Sequence, residues 1–431
     1  MDPVDDENEH LYPTLHPLKL FDAAKSQGRY LYACAPMVRY SKVGEHFLCH
    51  VFISQYSTDT AAGPVLLAFR QTVHHYGTDL CWTPMILAKE FNRSVFAREG
   101  DLSISTREGG PRARVPTVVQ FGACSPVELS RASSLAAPYV SGVDLNCGCP
   151  QSWACAESLG AALMDRRELV RDMVVETRTR LARDGWAVGL TDDDIESARG
   201  RSVTVKIRVH KDLRKTMDFI DTVLADDGAC GWKRNIDWLT IHPRTRKTLS
   251  SLPINLEALE ILTEKYGGRV PILVSGDVFT LRTLPYTSHL LDDNNHTPTF
   301  TSSTDPAATA ATTPSNPGPL HLPNLAGLMS ARALLANPAL FAGHETCPWE
   351  AVDVFLANLA RAPLILKSSV HHLTEMLGPG YGPDKRALIG KRDRMRLVKC
   401  GNWIDVLDLL EELRAKAAAA TPEEKLVNNT R

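Results

Sequence analysis

Short apolar runs rich in β-branched residues recur eight times along this chain, and longer amphipathic stretches separate them. The runs cover residues 30–35, 79–83, 116–121, 142–146, 203–208, 238–242, 271–275 and 325–329, with Pro36 and Pro84 stopping the first two. Between them, stretches such as 168–183, 213–225 and 256–266 carry the apolar spacing of helices. A strand that rejoins its sheet through a helix lies parallel to its predecessor, so this alternation predicts a parallel α/β fold. Eight strand-helix units over roughly 300 residues predict a (β/α)8 TIM barrel somewhat larger than typical. A doubly wound sheet is the competing layout, but no G-x-G-x-x-G turn follows the first run.

At 431 residues the chain is longer than one core usually serves. From about residue 343 the pattern is helical throughout. This predicts a barrel over 29–342, a smaller all-helical C-terminal domain over 343–431, and an N-terminal tail over 1–28. Residues 289–322 are rich in Thr, Pro, Ala, Ser and Asn without periodicity, the composition of a disordered excursion. They precede the last strand, which puts them on the side of the barrel away from its active rim. The acidic start lacks the features of a signal peptide, and no apolar run approaches the roughly 20 residues of a membrane span. Ten scattered cysteines are therefore expected as thiols, in cytosol or nucleus, in a protein expected to be monomeric. A net charge of −2 announces no nucleic-acid partner. One segment does stand out: Lys385, Arg386, Lys391, Arg392, Arg394, Arg396 and Lys399 crowd together with few acids between them. It reads equally as a solvated helix face or as an RNA contact.

Polar residues fall where such a barrel keeps its chemistry. Pro36-Met37, Gln120, Asn146, Lys206, His242 and Ser275-Gly276-Asp277 all stand at the C-terminal ends of expected strands, the rim on which βα loops build active sites. Singly, each has a structural explanation: a loop cap, an edge charge or a satisfied core histidine. Together they fit a flavin. Lys206 suits the N1/O2 edge of the ring, where it would stabilise the negative charge of the reduced form. Gln120 and His242 can hydrogen-bond the ring and ribityl chain, while Gly276 and the Ala331-Arg332 pair suit a phosphate.

The segment Asn146-Cys147-Gly148-Cys149-Pro150 follows the fourth run. A C-x-C pair without a second ligand pair at workable spacing makes a poor zinc site, and no metal is expected. A thioredoxin-like redox pair would be C-x-x-C. Cys149, between glycine and proline on a rim loop, suits a thiol presented to a substrate. Reducing an activated C=C bond needs a hydride on one carbon and a proton on the other, and an unperturbed thiol (pKa about 8.5) is an acid at neutral pH. Cys34, Cys81 and Cys147 lie within or beside strands and read as small buried hydrophobes.

These motifs in combination resemble the tRNA-dihydrouridine synthase family. The matching segments are Ala35-Pro36-Met37, Val119-Gln120-Phe121-Gly122, Asn146-Cys147-Gly148-Cys149-Pro150, Gly160-Ala161-Ala162-Leu163, Val205-Lys206-Ile207-Arg208, His242-Pro243-Arg244-Thr245 and Gly327-Leu328-Met329-Ser330-Ala331-Arg332. The wording at Val38-Arg39-Tyr40-Ser41-Lys42 and Pro150-Gln151-Ser152-Trp153-Ala154 is similar to the eukaryotic branch acting on positions 20a and 20b of the tRNA D-loop. The resemblance spans about residues 30–343. It implies FMN, reduced by NADPH, delivering hydride to C6 of a uridine while Cys149 protonates C5. It also implies a cofactor site of Pro36, Met37, Val38, Gln120, Asn146, Lys206, His242, Arg244, Ser275, Gly276, Asp277, Ala331 and Arg332. A helical C-terminal domain that binds tRNA would give the cationic segment its use. Pro243 and Ser275 depart from the family's usual glycine and asparagine. Residues 43–65 read as an insertion before Leu67-Ala68-Phe69-Arg70, either a genuine loop or translated intron sequence. Two other functions share parts of the pattern: an FMN barrel oxidoreductase acting on a small-molecule enone or pyrimidine, and a tRNA-binding homologue impaired in catalysis.

Overall fold

All eight apolar runs become strands, and they close on themselves. The computed structural model describes residues 16–37, 64–95, 98, 115–225, 228, 231–287, 320–382 and 385–419. The strands are β1 (Leu31–Cys34), β2 (Leu80–Leu87), β3 (Thr117–Gly122), β4 (Gly142–Cys147), β5 (Ser202–Arg208), β6 (Leu239–His242), β7 (Ile272–Ser275) and β8 (Gly327–Ser330). Each pairs in parallel with its sequence neighbours, and β1 pairs with β8 in the register Leu31↔Gly327 through Cys34↔Ser330. At that seam a side chain on Gly327 would sit 2.9 Å from the Leu31 carbonyl oxygen, so glycine is what lets the last strand approach the first. Helices alternate with the strands, including α3 (Arg167–Arg183), α4 (Leu213–Leu224) and α5 (Leu256–Tyr266), at the expected places.

Three expectations change. Strand β2 does not stop at Pro84 but continues to Leu87, with its register against β3 slipping between Trp82 and Met85. Proline has no N–H for the ladder, and the irregularity absorbs it instead of ending the strand. The slip also frees the Thr83 hydroxyl to accept the Gln120 N–H at 3.1 Å. Second, the expected N-terminal tail contains a helix, α1 (Pro17–Ser26). Its Leu18, Phe21 and Ala24 cluster with the inward residues Leu31, Ala33, Leu80, Trp82, Trp238 and Met329, plugging the barrel interior from one end. Third, residues 289–322 do not lie wholly outside the folded structure. Tyr286–Thr287 and Leu320–His321 form a short parallel pair, so the chain leaves and returns at one point. Residues 289–319, the insertion at 43–63 and Val38 lie outside the described residues.

The C-terminal helices α7 (Trp349–Arg361), α8 (Leu366–Met376), α9 (Lys391–Lys399) and α10 (Trp403–Ala419) follow the short helix α6 (Arg332–Ala336). Of these, α7 and α8 pack on α2 (Pro64–His75), while α9 packs on α8 and α10 on α9. Asn358 donates to the Thr72 hydroxyl at 3.0 Å, and the His372 ring lies 5.1 Å from Phe69 and 5.4 Å from Phe355. One hydrophobic cluster runs without a break from Tyr30 of the barrel to Leu413 of α10.

At the end of the barrel opposite the rim, Asp237 and Arg178 form an ion pair that is 1% and 0% exposed. Asp237 also accepts the Val203 N–H at 2.6 Å, and Arg178 donates to the carbonyls of Asn235 and Val188. Removing the carboxylate would strand a buried guanidinium, so Asp237→Ala is expected to cost about 3–5 kcal/mol in denaturant unfolding. His372, by contrast, is buried as a neutral ring, with its pKa pushed down to about 3 by burial and then by the neighbouring His371. The unfolded chain binds that proton near pH 6.5 and the folded one does not, so stability falls as pH drops below 6.5. Between pH 6.5 and 5.5 the loss from this residue should be about 1 kcal/mol. His372→Leu should flatten that part of a Tm-against-pH curve, and an unchanged slope would show the charge is accommodated.

Candidate active site

Neighbouring strands place Gln120, Asp144 and Thr204 side by side, through the pairs Gln120↔Asp144 and Asp144↔Thr204. All three are fully buried. A carboxylate there needs donors, and it has them: Thr204 Oγ1 donates to Asp144 Oδ1 at 2.7 Å and Gln120 Nε2 to Oδ2 at 2.7 Å. Burial nevertheless pushes the Asp144 pKa up to about 6, against the pull of these two bonds and of Lys206. Gln120 Oε1 accepts from Asn146 Nδ2 at 2.7 Å. Asn146 Oδ1 in turn accepts the N–H groups of Gly148 at 3.0 Å and Cys149 at 2.8 Å.

The loop bearing Cys149 is therefore gripped from the barrel. Two further contacts hold it. Gly160, with φ of +61°, lies so close that a side chain there would meet the Cys149 carbonyl oxygen at 2.6 Å, and the Ala161 N–H donates to that oxygen at 2.9 Å. Arg208 Nε donates to the Gly148 carbonyl at 2.7 Å and its Nη1 to the Thr245 carbonyl at 2.9 Å, tying this loop to the one after β6. Cys149 itself is 9% exposed, in a small apolar cluster with Ala154 and Leu159 against Met85, Leu87, Cys124 and Trp153. Burial raises its pKa above the ordinary thiol value, and Arg208 and Lys206 do not reverse this. At neutral pH the group is a thiol, a proton donor. Cys34, Cys81 and Cys147 are buried in the core as expected.

Beside the loop lies a concentration of cations. Asn146 pairs across the sheet with Lys206, and Arg208 with His242. Lys206 makes no hydrogen bond or ion pair among the described residues, and its pKa is pushed down to about 8 by burial and then by Arg208. His242 is held neutral, its pKa driven to about 2 by burial and then by Lys206, Arg208, Arg244 and Arg332. Arg244 Nη1 lies 3.0 Å from His242 Nε2. A guanidinium can only donate, so Nε2 is the acceptor and the ring proton sits on Nδ1. Arg244 also donates to the Leu252 carbonyl and pairs with Asp277 at 2.5 Å, while Asp277 accepts the Ile254 N–H at 2.7 Å.

The expected cofactor set thus separates into two kinds. Lys206, His242, Gly276 and Arg332 are partly exposed, as are Pro36 and Met37 on the same rim. Gln120, Asn146, Arg244 and Asp277 are engaged with each other or with the loops, and Ser275 is buried at the end of β7. Ala331 immediately precedes α6, and the Arg332 guanidinium lies 5.2 Å from the centre of the Tyr381 ring, contributed by the helical region. Four cations around a neutral imidazole, with one carboxylate already paired, suit an anionic ligand carrying a phosphate or a delocalised negative ring. Among the described residues no cluster of His, Cys, Asp and Glu is arranged to hold a metal ion.

The cationic segment divides likewise. Lys385, Lys391, Arg392 and Lys399 are exposed and make no ion pair among the described residues. Arg386 pairs with Glu345, and Arg396 grips both oxygens of Glu412 at 2.7 and 2.6 Å. Arg394 is half-buried. Residue-type reasoning passed over Asp144, Thr204 and Tyr381, and gave Gly160 and Arg208 no role beyond the motifs that contain them. The signal for Asp144 was present: an acid between Val143 and Leu145 in an apolar strand must find buried partners. Arg208 lies two residues beyond Lys206 on one strand and hence on the same face.

Residues 61–289 match the Dihydrouridine synthase (Dus) family. The chain is 33% identical over 396 residues to a tRNA-dihydrouridine(20a/20b) synthase [NAD(P)+] of Schizosaccharomyces pombe, covering 92% of this chain and 91% of that one. A human protein described as tRNA-dihydrouridine(20a/20b) synthase [NAD(P)+]-like is 32% identical over 344 residues, 79% of this chain and 80% of its own length. A tRNA-dihydrouridine(20a/20b) synthase [NAD(P)+] of Saccharomyces cerevisiae is 30% identical over 355 residues, 82% of this chain and 73% of its own. With a thiol loop gripped beside a cationic barrel mouth, and with this extent of similarity, the chain belongs to the dihydrouridine synthase family.

Proposed function

We propose that this chain reduces the C5–C6 double bond of a D-loop uridine in tRNA, at position 20a or 20b, to dihydrouridine, with NADPH as reductant and FMN as bound cofactor. The observation that carries this reading is the Cys149 loop, held at the barrel mouth by Asn146 and next to a lysine that makes no hydrogen bond or ion pair among the described residues. The residues present fit FMN. Lys206 is a recessed cation with no paired anion among the described residues, and the ring edge that becomes negative on reduction would supply one. Arg332, Gly276 and the Nδ1–H of His242 offer donors for the phosphate and ribityl oxygens, with Arg244 and Asp277 fixing the His242 ring. Bound FMN would supply the hydride that reaches C6 of the uracil.

The rest falls to the chain itself. Cys149 gives its proton to C5, which balances the hydride, and the resulting thiolate is neutralised by a proton from solvent. Asn146 fixes where the thiol stands by holding its backbone N–H. A D-loop uridine is stacked in the tRNA elbow and must be drawn out to reach such a mouth, so affinity has to come from contacts elsewhere on the RNA. Lys385, Lys391, Arg392 and Lys399, exposed and without an ion pair among the described residues, are the groups on the helical region suited to phosphates. A reductase for small enones shares the barrel mouth but has no use for them.

Cys149→Ala should keep the flavin spectrum and its bleaching by NADPH while dihydrouridine formation falls by at least about 10²-fold. Dihydrouridine made at the wild-type rate by that variant would refute the acid role. The NADPH-reduced wild-type protein should be reoxidised by unmodified tRNA and not by small enones. Replacing Lys391, Arg392 and Lys399 by Ala together should raise KM for tRNA several-fold at moderate salt. The salt dependence of binding should flatten by about one unit of log-log slope for each phosphate deprived of its cation. NADPH oxidation without tRNA should be unaffected.

A further inference from the structure

Cys149 hangs from a hydrogen-bonded chain whose two ends permit one direction: the Gly148 and Cys149 N–H groups can only donate, and at the far end stands a carboxylate. An amide side chain can sit either way round, and neither Gln120 nor Asn146 alone decides which. An ionised carboxylate has no such freedom, because it only accepts. Asp144 therefore obliges Gln120 to turn its NH2 inward at 2.7 Å. That leaves Gln120 Oε1 facing Asn146, which obliges Asn146 to present its own NH2, also at 2.7 Å. Asn146 Oδ1 is then left facing the N–H groups of Gly148 and Cys149, the only orientation in which it can hold them. Thr204 completes the arrangement by donating to the second Asp144 oxygen at 2.7 Å.

We infer that Asp144 is a positioning residue, whose negative charge fixes the polarity of the Gln120–Asn146 amide chain and thereby the placement of the Cys149 thiol. This rests on the proposed reductase reading only for its effect on turnover; the mechanical link stands on the hydrogen bonds. Protonation of Asp144 would give it a donor, allow Gln120 to turn, and release the loop. The groups facing Asp144 are Lys206 and the hydroxyl of Thr204 from β5, the amide of Gln120 from β3, the indole of Trp82 from β2, and Cys147 on its own strand. Lys206 titrates at about 8 and Cys147 well above its ordinary value, so of these groups Asp144 is the one that changes charge near pH 6.

Asp144→Asn tests this, since asparagine carries both a donor and an acceptor and permits either amide orientation. Hydrogen exchange followed by peptide mass spectrometry reads the loop directly. At pH 7 the Gly148 and Cys149 amides of the variant holoenzyme should exchange about tenfold faster than those of wild type, the effect of losing about one net hydrogen bond. Pre-reduced wild-type holoenzyme mixed rapidly with unmodified tRNA should lose about fourfold in reoxidation rate between pH 7 and 5.5, following ionisation of a group at about 6. The variant should be slow and flat over that range. If Asp144→Asn does not fold, Thr204→Val, which removes a donor to the carboxylate, should move the midpoint upward. Wild-type amide exchange in the variant, or a midpoint that Thr204→Val leaves in place, overturns the inference. Should tRNA fail to oxidise the reduced wild-type protein at all, the functional proposal falls, and amide exchange still decides the role of Asp144.

Discussion

Closing eight parallel strands into a ring removes every sheet edge and fixes which residues become neighbours. Once Leu31 pairs with Gly327, the remaining registers follow around the barrel, and they decide which side chains of neighbouring strands meet inside it. Gln120, Asp144 and Thr204 stand in register on three consecutive strands, and Asn146 and Lys206 pair one step nearer the mouth. A slip of one residue anywhere would turn these polar groups outward and apolar ones into the mouth. The site is thus a consequence of register, and register is a consequence of closure.

Within that frame the mouth is divided by charge. One side gathers Lys206, Arg208, Arg244 and Arg332 about a histidine kept neutral by burial and then by their company. A protonated His242 would add a fifth positive charge where four already repel. Its neutral state gives instead one defined donor, on Nδ1. Asp277 offsets Arg244 and leaves the other cations available. The helical region joins this side directly through Tyr381, whose ring lies under the Arg332 guanidinium. An arginine braced this way is held in place before any ligand arrives, which lowers the ordering cost of binding. Barrel and helical region share a hydrophobic cluster and also this contact at the mouth.

Much of this was legible in residue types. Strand runs can be read because β-branched apolar residues between turn-formers have few other uses, and the strand-end polar residues stand out against them. Pro84 misled because proline usually ends a strand; whether a sheet absorbs it at a register slip depends on the partner strand, which a local reading does not contain. The helix plugging the barrel was missed because Leu18, Phe21 and Ala24 make only two turns of pattern, too few to separate from a tail. The cationic segment looked uniform, yet Glu345 and Glu412, distant in sequence, neutralise Arg386 and Arg396 and leave others free. Asp144 was passed over for a different reason. An acid in an apolar strand signals that buried partners exist, but which groups they are lies in hydrogen bonds between strands, and no spacing along one strand encodes those.

The thiol side of the mouth shows why position outweighs residue type. Cations beside a cysteine ordinarily lower its pKa and make a nucleophile. Here Arg208 and Lys206 lie close enough to act in that direction, but the apolar pocket of Ala154, Leu159 and Met85 acts in the other and prevails. Arg208 directs its hydrogen bonds to the Gly148 and Thr245 carbonyls and so orders the loop, while its charge lowers the thiol's pKa too little to outweigh burial. A thiolate formed after proton transfer would gain from the same cations, which are near enough to help once the charge exists. The geometry therefore favours a group that is neutral before the reaction and tolerated as an anion after it, the requirement of a proton donor to a developing carbanion.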